Sequence, residues 1–141
     1  MSQSQQDQPL RGKRVAVVED DPIVKLEVER VLVEAGARIA RSFAHRPDAA
    51  VLDVRLAGGL TGIPIALALE MRNIPFIFYS GLEDPAIAPV KARFLGSPFL
   101  RKPSRAVEIV AAIVEAIRPK PGWDRRLLHP ANQADPRWST S

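Results

Sequence analysis

The sequence predicts an α/β domain built on a mainly parallel sheet. Short apolar runs alternate with helical patterns between residues 13 and 118, which is the arrangement of repeated strand–helix units. The apolar runs are continuous rather than alternating, as in strands whose two faces are both buried. The chain contains no cysteine, which excludes a disulfide framework and a thiolate metal site.

The first strand and the first helix have clear limits. The run from Val15 to Val18 is apolar, and three acids end it. Asp21 and Pro22 then form a helix start, with Asp21 as the N-cap and Pro22 in the first helical position. We expect this helix to end near Gly36, because glycine is favoured just past a helix C-terminus.

The remaining elements follow from the same patterns. Strands are expected where β-branched and aromatic residues cluster, and helices where apolar residues recur with the helical period. In chain order they are a weak strand over 37–43 (ARIARSF), a strong strand over 49–54 (AAVLDV), a helix over 63–72, a clear strand over 74–80, a poor helix over 85–94, a short strand over 97–102, and an amphipathic helix over 104–118 capped by Ser104. Gly58, Gly59 and Gly62 are expected to form a flexible loop.

Three segments divide the chain of 141 residues. Residues 1–12 are Gln- and Ser-rich and are expected to be disordered, residues 13–118 form the domain, and residues 119–141 form a Pro-rich basic tail or arm. No apolar leader and no run of 18 apolar residues is visible, so we expect a cytoplasmic protein without a membrane partner. The net charge is +4, and the basic residues are scattered along the chain. We therefore expect a solvated basic surface rather than a nucleic-acid partner.

Polar side chains stand at the carboxyl ends of four predicted strands. Glu19 and Asp20 end the first strand, Asp53 the third and Ser80 the fourth, and Lys102 stands at the end of the fifth. The carboxyl ends of parallel strands meet at one edge of the sheet, so these groups converge. Clustered carboxylates repel one another unless a cation joins them, and Mg²⁺ prefers such oxygen ligands. Asp53 could then attack phosphorus, while Lys102 and Ser80 bind the phosphoryl oxygens.

Four runs carry a resemblance to a known family. VAVVEDD, AVLDVRL, FIFYSG and PFLRKP, in this order within residues 13–118, resemble the CheY-like receiver domains of bacterial two-component response regulators. The resemblance implies a doubly wound, flavodoxin-like sheet of five parallel strands in the order 2-1-3-4-5. It also implies that a sensor histidine kinase or a phosphotransfer protein phosphorylates Asp53. Such a domain is a signalling switch and not an ordinary enzyme, since its chemistry is limited to Mg²⁺-dependent self-phosphotransfer and autodephosphorylation.

The resemblance further implies a Mg²⁺ site at this edge of the sheet. Asp20 matches the direct ligand and Glu19 a ligand that acts through water. Asp53 and the backbone carbonyl of Arg55 would complete the protein ligands. No separate organic cofactor is implied.

The same resemblance assigns the switch residues. Ser80 and Lys102 match the positions that contact phosphate, and Phe99 matches an aromatic residue that moves inward when the hydroxyl turns toward phosphate. DVRLAGG and IPFIFYSGLED also resemble a subgroup of stand-alone receivers. In that subgroup the hydroxyl residue is usually Thr and a small Ala precedes it, whereas Ser80 and the bulky Tyr79 stand here.

The connection between the second and third strands departs from this family, which has a helix there. If residues 37–43 are a strand, only about four residues, 44–47, remain before Asp48 and the next strand, and four residues reach about 14 Å. A strand of five or six residues is about 17–20 Å long. Within residues 38–47 we therefore expect a displaced or antiparallel strand, an irregular connection, or a strand exchanged with another chain. Because the sheet face would lose its helix, we expect an open apolar patch there, and a homodimer or a partner protein that covers it.

Three functions are compatible with these features. The first is a single-domain response regulator that signals through protein–protein contacts. The second is a degenerate receiver that acts as a phosphorylation-independent interaction or dimerisation module, which the lost helix and Tyr79 favour. The third is a nucleic-acid binder that uses the basic tail, and its binding would weaken steeply with salt. The motifs of dinucleotide- and nucleotide-binding enzymes, GxGxxG and the P-loop, are absent from the sequence.

Overall fold

Five parallel strands form one sheet in the order β2-β1-β3-β4-β5, with helices on both faces. The computed structural model describes residues 8–55, 62–81 and 87–119. The strands are β1 (Arg14–Val18), β2 (Arg38–Ala40), β3 (Ala49–Leu52), β4 (Phe76–Ser80) and β5 (Phe99–Arg101), and the helices are α1 (Pro22–Glu34), α2 (Gly62–Met71), α3 (Ala88–Arg93) and α4 (Ala106–Ile117). This architecture confirms the predicted doubly wound α/β fold and its strand order. Within the described ranges, no helix combines the length and the apolar composition needed to cross a membrane.

Two apolar layers lie on opposite faces of the sheet. One packs α1 and α4 against the strands, and the other packs α2 and α3. The side chains of β1 alternate between them, with Val15 and Val17 in the first layer and Ala16 in the second. The strands are thus buried on both faces, which is why their sequences are continuous apolar runs.

The start of α1 positions the acidic turn after β1. Asp21 Oδ1 accepts hydrogen bonds from the backbone N–H groups of Ile23 at 2.9 Å and Val24 at 3.4 Å. Such an N-cap stabilises a helix by about 1 kcal/mol. It also holds the turn that carries Glu19 and Asp20 in a fixed place between the strand and the helix.

The predicted strand over 37–43 is only three residues long, Arg38–Ala40, and it pairs in parallel with β1. Ala40 lies opposite Ala16, and β3 begins at Ala49 opposite Val15. The connection must therefore step back by about 3.3 Å along the sheet while crossing about 10 Å over β1. Residues 41–48 reach roughly 26–29 Å, which is ample.

The expectation of a displaced, antiparallel or exchanged strand is consequently wrong. It assumed a second strand of ordinary length, whereas the real strand is short enough for a parallel return without a helix. Of the three outcomes, an irregular connection describes residues 41–48, although β2 itself is regular.

Arginine side chains hold this connection. The Arg14 guanidinium donates to the carbonyl of Arg46 at 3.3 Å, and the Arg46 guanidinium donates to the carbonyl of Arg72 at 3.2 Å. Arg72 in turn donates to the carbonyl of Phe43 at 2.9 Å. Pro47, within the connection, is fully buried. Side-chain donors thus satisfy carbonyls that a helix would have satisfied within its own backbone.

The expected open apolar patch is not found on the three strands beside this connection. The residues that face the second layer there are Ala16, Ala40 and Ala50, and all three are buried. Phe43, from the connection itself, packs against the same layer. Small side chains let an irregular segment cover the sheet closely, so the argument for a homodimer or partner protein at this edge loses its basis.

The N-terminal boundary also differs from the expectation. Residues 1–7 lie outside the described ranges, but residues 8–12 are ordered, with turns over 9–12, and the disorder expected for them is wrong. Leu10 is only 1% exposed and its backbone N–H donates to the carbonyl of Ala35 at 2.8 Å. The expected tail or arm falls almost wholly on residues 120–141, which lie outside the described part of the chain.

Helix α4 begins two residues later than predicted, at Ala106. Glu108 accepts a hydrogen bond from the Arg105 backbone N–H at 2.9 Å and so supports the first turn. Ser104, the expected cap, instead donates its hydroxyl to the carbonyl of Arg101 at 2.8 Å. The segment between β5 and α4 is therefore a separate, hydrogen-bonded loop over residues 102–105.

Candidate functional site

Three of the predicted site residues come first after their strands. Glu19 follows β1, Asp53 follows β3 and Lys102 follows β5. The pairing of Val18 with Leu52 places Glu19 and Asp53 side by side, and the Asp53 backbone N–H donates to the Val18 carbonyl at 3.1 Å. The sheet therefore delivers side chains that are far apart in sequence to one edge, as expected for a parallel sheet.

The Lys102 ammonium joins the two carboxylates. Its Nζ lies 2.6 Å from Glu19 Oε1 and 2.8 Å from Asp53 Oδ2. The Glu19 and Asp53 side chains are 5% and 9% exposed, and that of Lys102 is 21% exposed. Buried carboxylates need close partners of opposite charge, and here one cation serves both.

This environment raises the pKa of Lys102 above its ordinary value. Burial by itself lowers this pKa, because it disfavours the charged ammonium. Hydrogen bonds to Asp53 and Glu19, together with the attraction of their charges, outweigh the effect of burial. Lys102 is thus a firmly protonated cation beside Asp53 at neutral pH.

Three carboxylates form a group that could hold a metal ion. One oxygen from each of Glu19, Asp20 and Asp53 lies within 4.8 Å of the others. Asp20 is exposed to solvent at the mouth of the site, whereas Asp53 is buried. An all-carboxylate set with an open, solvated side fits Mg²⁺, which keeps several waters and binds through few carboxylates. The Arg55 backbone N–H donates to Asp53 Oδ1 at 3.3 Å, so residue 55 also borders the group.

Ser80 and Phe99 lie on the neighbouring strands. Ser80 ends β4, is 1% exposed, and its carbonyl accepts the backbone N–H of Lys102 at 2.9 Å. Phe99 is half-buried, and its ring stacks on that of Phe78 with centroids 5.0 Å apart. Ser80 thus ends β4, the strand that pairs with β3, and Phe99 lies on β5, the next strand, while their expected switch roles stay predictions.

Solved structures provide the comparison that decides the fold. A receiver domain of a modulated diguanylate cyclase from Desulfovibrio desulfuricans matches with a TM-score of 0.64 at 26% identity, over 74% of this chain and 93% of that one. The HemR receiver domain from Leptospira biflexa matches with a TM-score of 0.61 at 19% identity, over 77% and 98%. A CheY-like receiver domain from Methanospirillum hungatei matches with a TM-score of 0.63 at 16% identity, over 74% and 93%. No protein-family model and no curated protein matches the sequence.

The chain has the receiver fold. The resemblance read from the four sequence runs is confirmed at this level, and the strand order is that of the receiver sheet. The carboxyl edge of this chain's sheet carries Glu19, Asp20, Asp53, Ser80 and Lys102. These predicted residues therefore converge at one edge of the sheet.

Sequence reasoning missed one residue beside this candidate site. Gly62, expected in a flexible loop, is the first residue of α2, and its backbone N–H donates to the Val54 carbonyl at 3.0 Å. A Cβ atom at this position would lie 2.0 Å from the carbonyl oxygen of Asp53. Only glycine lets α2 begin directly against the backbone of Asp53. The signal in the sequence was the glycine itself, but the close approach depends on the folded structure.

Proposed function

We propose that this chain is a single-domain response regulator, a switch in which Asp53 accepts a phosphoryl group. The observation that carries the proposal is the Lys102 ammonium, 2.8 Å from the buried Asp53 carboxylate within a group of three acids. A fixed cation beside a carboxylate nucleophile is what transfer of a phosphoryl group needs, since that chemistry depends on positioning and charge neutralisation.

In the proposed reaction a carboxylate oxygen of Asp53 attacks the phosphorus of a phosphohistidine. The P–N bond breaks, the new P–O bond makes an aspartyl phosphate, and the imidazole of the donor takes up a proton. Lys102 neutralises charge on the phosphoryl oxygens, and the Ser80 hydroxyl donates a hydrogen bond to one of them. Mg²⁺, when held by Glu19, Asp20 and Asp53, supplies further positive charge to the same oxygens.

Water attack on the phosphorus of the aspartyl phosphate reverses the switch and restores Asp53. The chain is therefore proposed to be a phosphoacceptor and not an enzyme that acts on a separate substrate. Phe99 stacks on Phe78, which lies two residues before Ser80 in β4. We therefore propose Phe99 as the residue whose side chain moves when Asp53 is phosphorylated. The carbonyl of Arg55 is proposed as a further Mg²⁺ ligand.

Exposed apolar side chains near the N-termini of α1 and α4 support a protein as the phosphodonor. Ile23 and Leu26 on α1 are 69% and 67% exposed, and Val107 on α4 is 63% exposed. Helix α1 starts directly after the acidic turn, and α4 starts directly after the loop that carries Lys102. Exposed apolar side chains on helices that follow the charged residues favour a docking surface, and we propose a histidine kinase or a phosphotransfer protein as its partner, in the cytoplasm.

The second candidate is a degenerate receiver that works as an interaction module without phosphorylation. The crossover that lacks a helix and the bulky Tyr79 favour this alternative. The charged pocket argues against it, because burying Glu19 and Asp53 costs folding free energy that an apolar pair would not. A module with no use for these charges would gain stability by losing them.

Intact-mass measurement tests the proposal. The protein is incubated with Mg²⁺ and either acetyl phosphate or a phosphorylated histidine kinase, and we expect a gain of one phosphoryl group. Asp53→Asn should show no gain. Asp48→Asn, a matched change at the opposite edge of the sheet where Asp48 accepts the Arg14 backbone N–H at 2.8 Å, should be phosphorylated like the wild type. Absence of any gain in the wild type with every donor would favour the interaction module.

A further inference from the structure

Tyr79 contacts the loop that carries Lys102. It lies in β4 next to Ser80, its side chain is in the apolar layer with α1 and α4, and it is 7% exposed. Its hydroxyl oxygen accepts the backbone N–H of Ser104 at 3.1 Å. This hydrogen bond ties β4 to residues 102–105, the loop between β5 and α4.

The same aromatic ring also faces the lysine. The Lys102 Nζ lies 5.9 Å from the centroid of the Tyr79 ring, at the outer limit of a cation–π contact. Tyr79 therefore touches the lysine-bearing loop twice, through the Ser104 backbone and through the Lys102 ammonium. The third tie is the backbone of the neighbouring residue, since the Lys102 N–H donates to the Ser80 carbonyl at 2.9 Å.

Lysine needs such support to serve two carboxylates at once. Its side chain is long and flexible, and although its backbone N–H is tied to the Ser80 carbonyl, no helix or strand fixes its rotamer. Distances of 2.6 Å to Glu19 and 2.8 Å to Asp53 require both the backbone and the rotamer to be fixed.

We propose that Tyr79 is a positioning residue for Lys102. It fixes the loop through its hydroxyl and limits the path of the ammonium with its ring. The inference rests on the proposed function only for its effect on phosphorylation, because the position of Lys102 is measurable in the resting protein.

Tyr79→Phe tests this inference, since it removes the hydroxyl and keeps the ring. The Ser104 N–H loses its acceptor, the loop loosens, and Lys102 spends less time between the carboxylates. We expect the maximal rate of phosphorylation by acetyl phosphate to fall by about fivefold, the equivalent of one hydrogen bond. Mg²⁺ should bind more tightly, because a competing cation has moved away from Glu19 and Asp53.

The opposite signs of these two effects separate positioning from damage to the fold. A variant that merely disturbs the site would be phosphorylated more slowly and would also bind Mg²⁺ more weakly. Ile77→Val is the matched control. Ile77 also lies in β4 and is buried in the same apolar layer as Tyr79, but its side chain makes no hydrogen bond to the loop. It should lose some thermal stability and keep the wild-type rate and Mg²⁺ affinity.

NMR of the resting protein gives a readout that needs neither Mg²⁺ nor a donor. In the wild type the ring of Tyr79 should shift the ε-methylene protons of Lys102 away from the values of exposed lysines. In Tyr79→Phe these protons should move toward the exposed values. If the wild type accepts no phosphoryl group while the NMR and Mg²⁺ changes are seen, the proposed function fails and the positioning role stands. Unchanged Lys102 shifts with unchanged Mg²⁺ affinity in Tyr79→Phe would overturn the positioning role.

Discussion

Gly62→Ala is expected to disrupt the site from beneath Asp53. The added Cβ would lie 2.0 Å from the Asp53 carbonyl oxygen and 2.9 Å from the Val54 Cα. Comfortable contacts between such atoms are about 3.5 Å, so the start of α2 and the end of β3 must separate by about 1–1.5 Å. Both contacting atoms belong to the backbone, so no flexible side chain can move aside. Overpacking of this kind costs about 3 kcal/mol.

Two assays measure the effect of Gly62→Ala. The melting temperature should fall by about 10 °C, at a few degrees per kcal/mol for a domain of this size. The rate of phosphorylation by acetyl phosphate should fall by about 100-fold, which is the typical loss when a reacting group moves by about 1 Å. Gly96→Ala is the control, because a Cβ at Gly96 meets nothing within 4 Å. A Gly62→Ala protein with wild-type melting temperature and rate would refute the close packing of α2 on Asp53.

Three further substitutions test other contacts, each by urea unfolding. Lys102→Met should cost about 2 kcal/mol without Mg²⁺, less than for a fully buried pair because the lysine side chain is 21% exposed. The pKa of Lys102 is raised in the folded protein, so the stability difference between the wild type and Lys102→Met should be complete below pH of about 10.4, the pKa in the unfolded chain, and should shrink as pH rises through the folded pKa. A stability difference that grows with pH would contradict a raised pKa. Arg46→Lys should cost about 1 kcal/mol, because lysine cannot reproduce the forked donation to the carbonyls of Arg72 and Asn73. The control, Arg38→Lys, should change the free energy of unfolding by less than about 0.5 kcal/mol. Equal costs would show that the arginine hydrogen bonds do not hold the connection. Asp21→Ala should cost about 1 kcal/mol through loss of the helix cap, and no change would mean that the cap contributes nothing.

The sheet and most of the site were predictable because both depend on local patterns in the sequence. Continuous apolar runs indicate strands buried on both faces, and the residue after each run lies at the carboxyl edge. Glu19, Asp53 and Lys102 are each the first residue after a strand, so the topology alone brings them together. The chemistry of the group then follows from the kinds of side chain present.

The connection over residues 41–48 was not predictable in the same way. Its path depends on where β2 ends and on how β3 registers against β1, and neither follows from propensity. Phe43 and Arg46 are held by contacts with a part of the chain more than 25 residues away. One signal was present, namely the alanines at positions 16, 40 and 50, whose small size allows close cover of the sheet face.

Contacts between segments that are far apart in sequence were the second feature that could not be predicted. Leu10 was assigned to a disordered segment because its neighbours are polar, yet it is buried against the end of α1. Gly62 was assigned to a flexible loop because glycines cluster there, yet it is the close contact between α2 and Asp53. In both cases the local composition was read correctly, and tertiary packing decided the outcome.

The most direct test of the central claim is the chemical identity of the phosphorylated residue. After incubation with Mg²⁺ and a phosphodonor, the account predicts one added phosphoryl group that hydroxylamine removes, as expected of an acyl phosphate, with the modified peptide containing Asp53. A phosphoryl group that resists hydroxylamine, or one that persists in Asp53→Asn, would contradict the account.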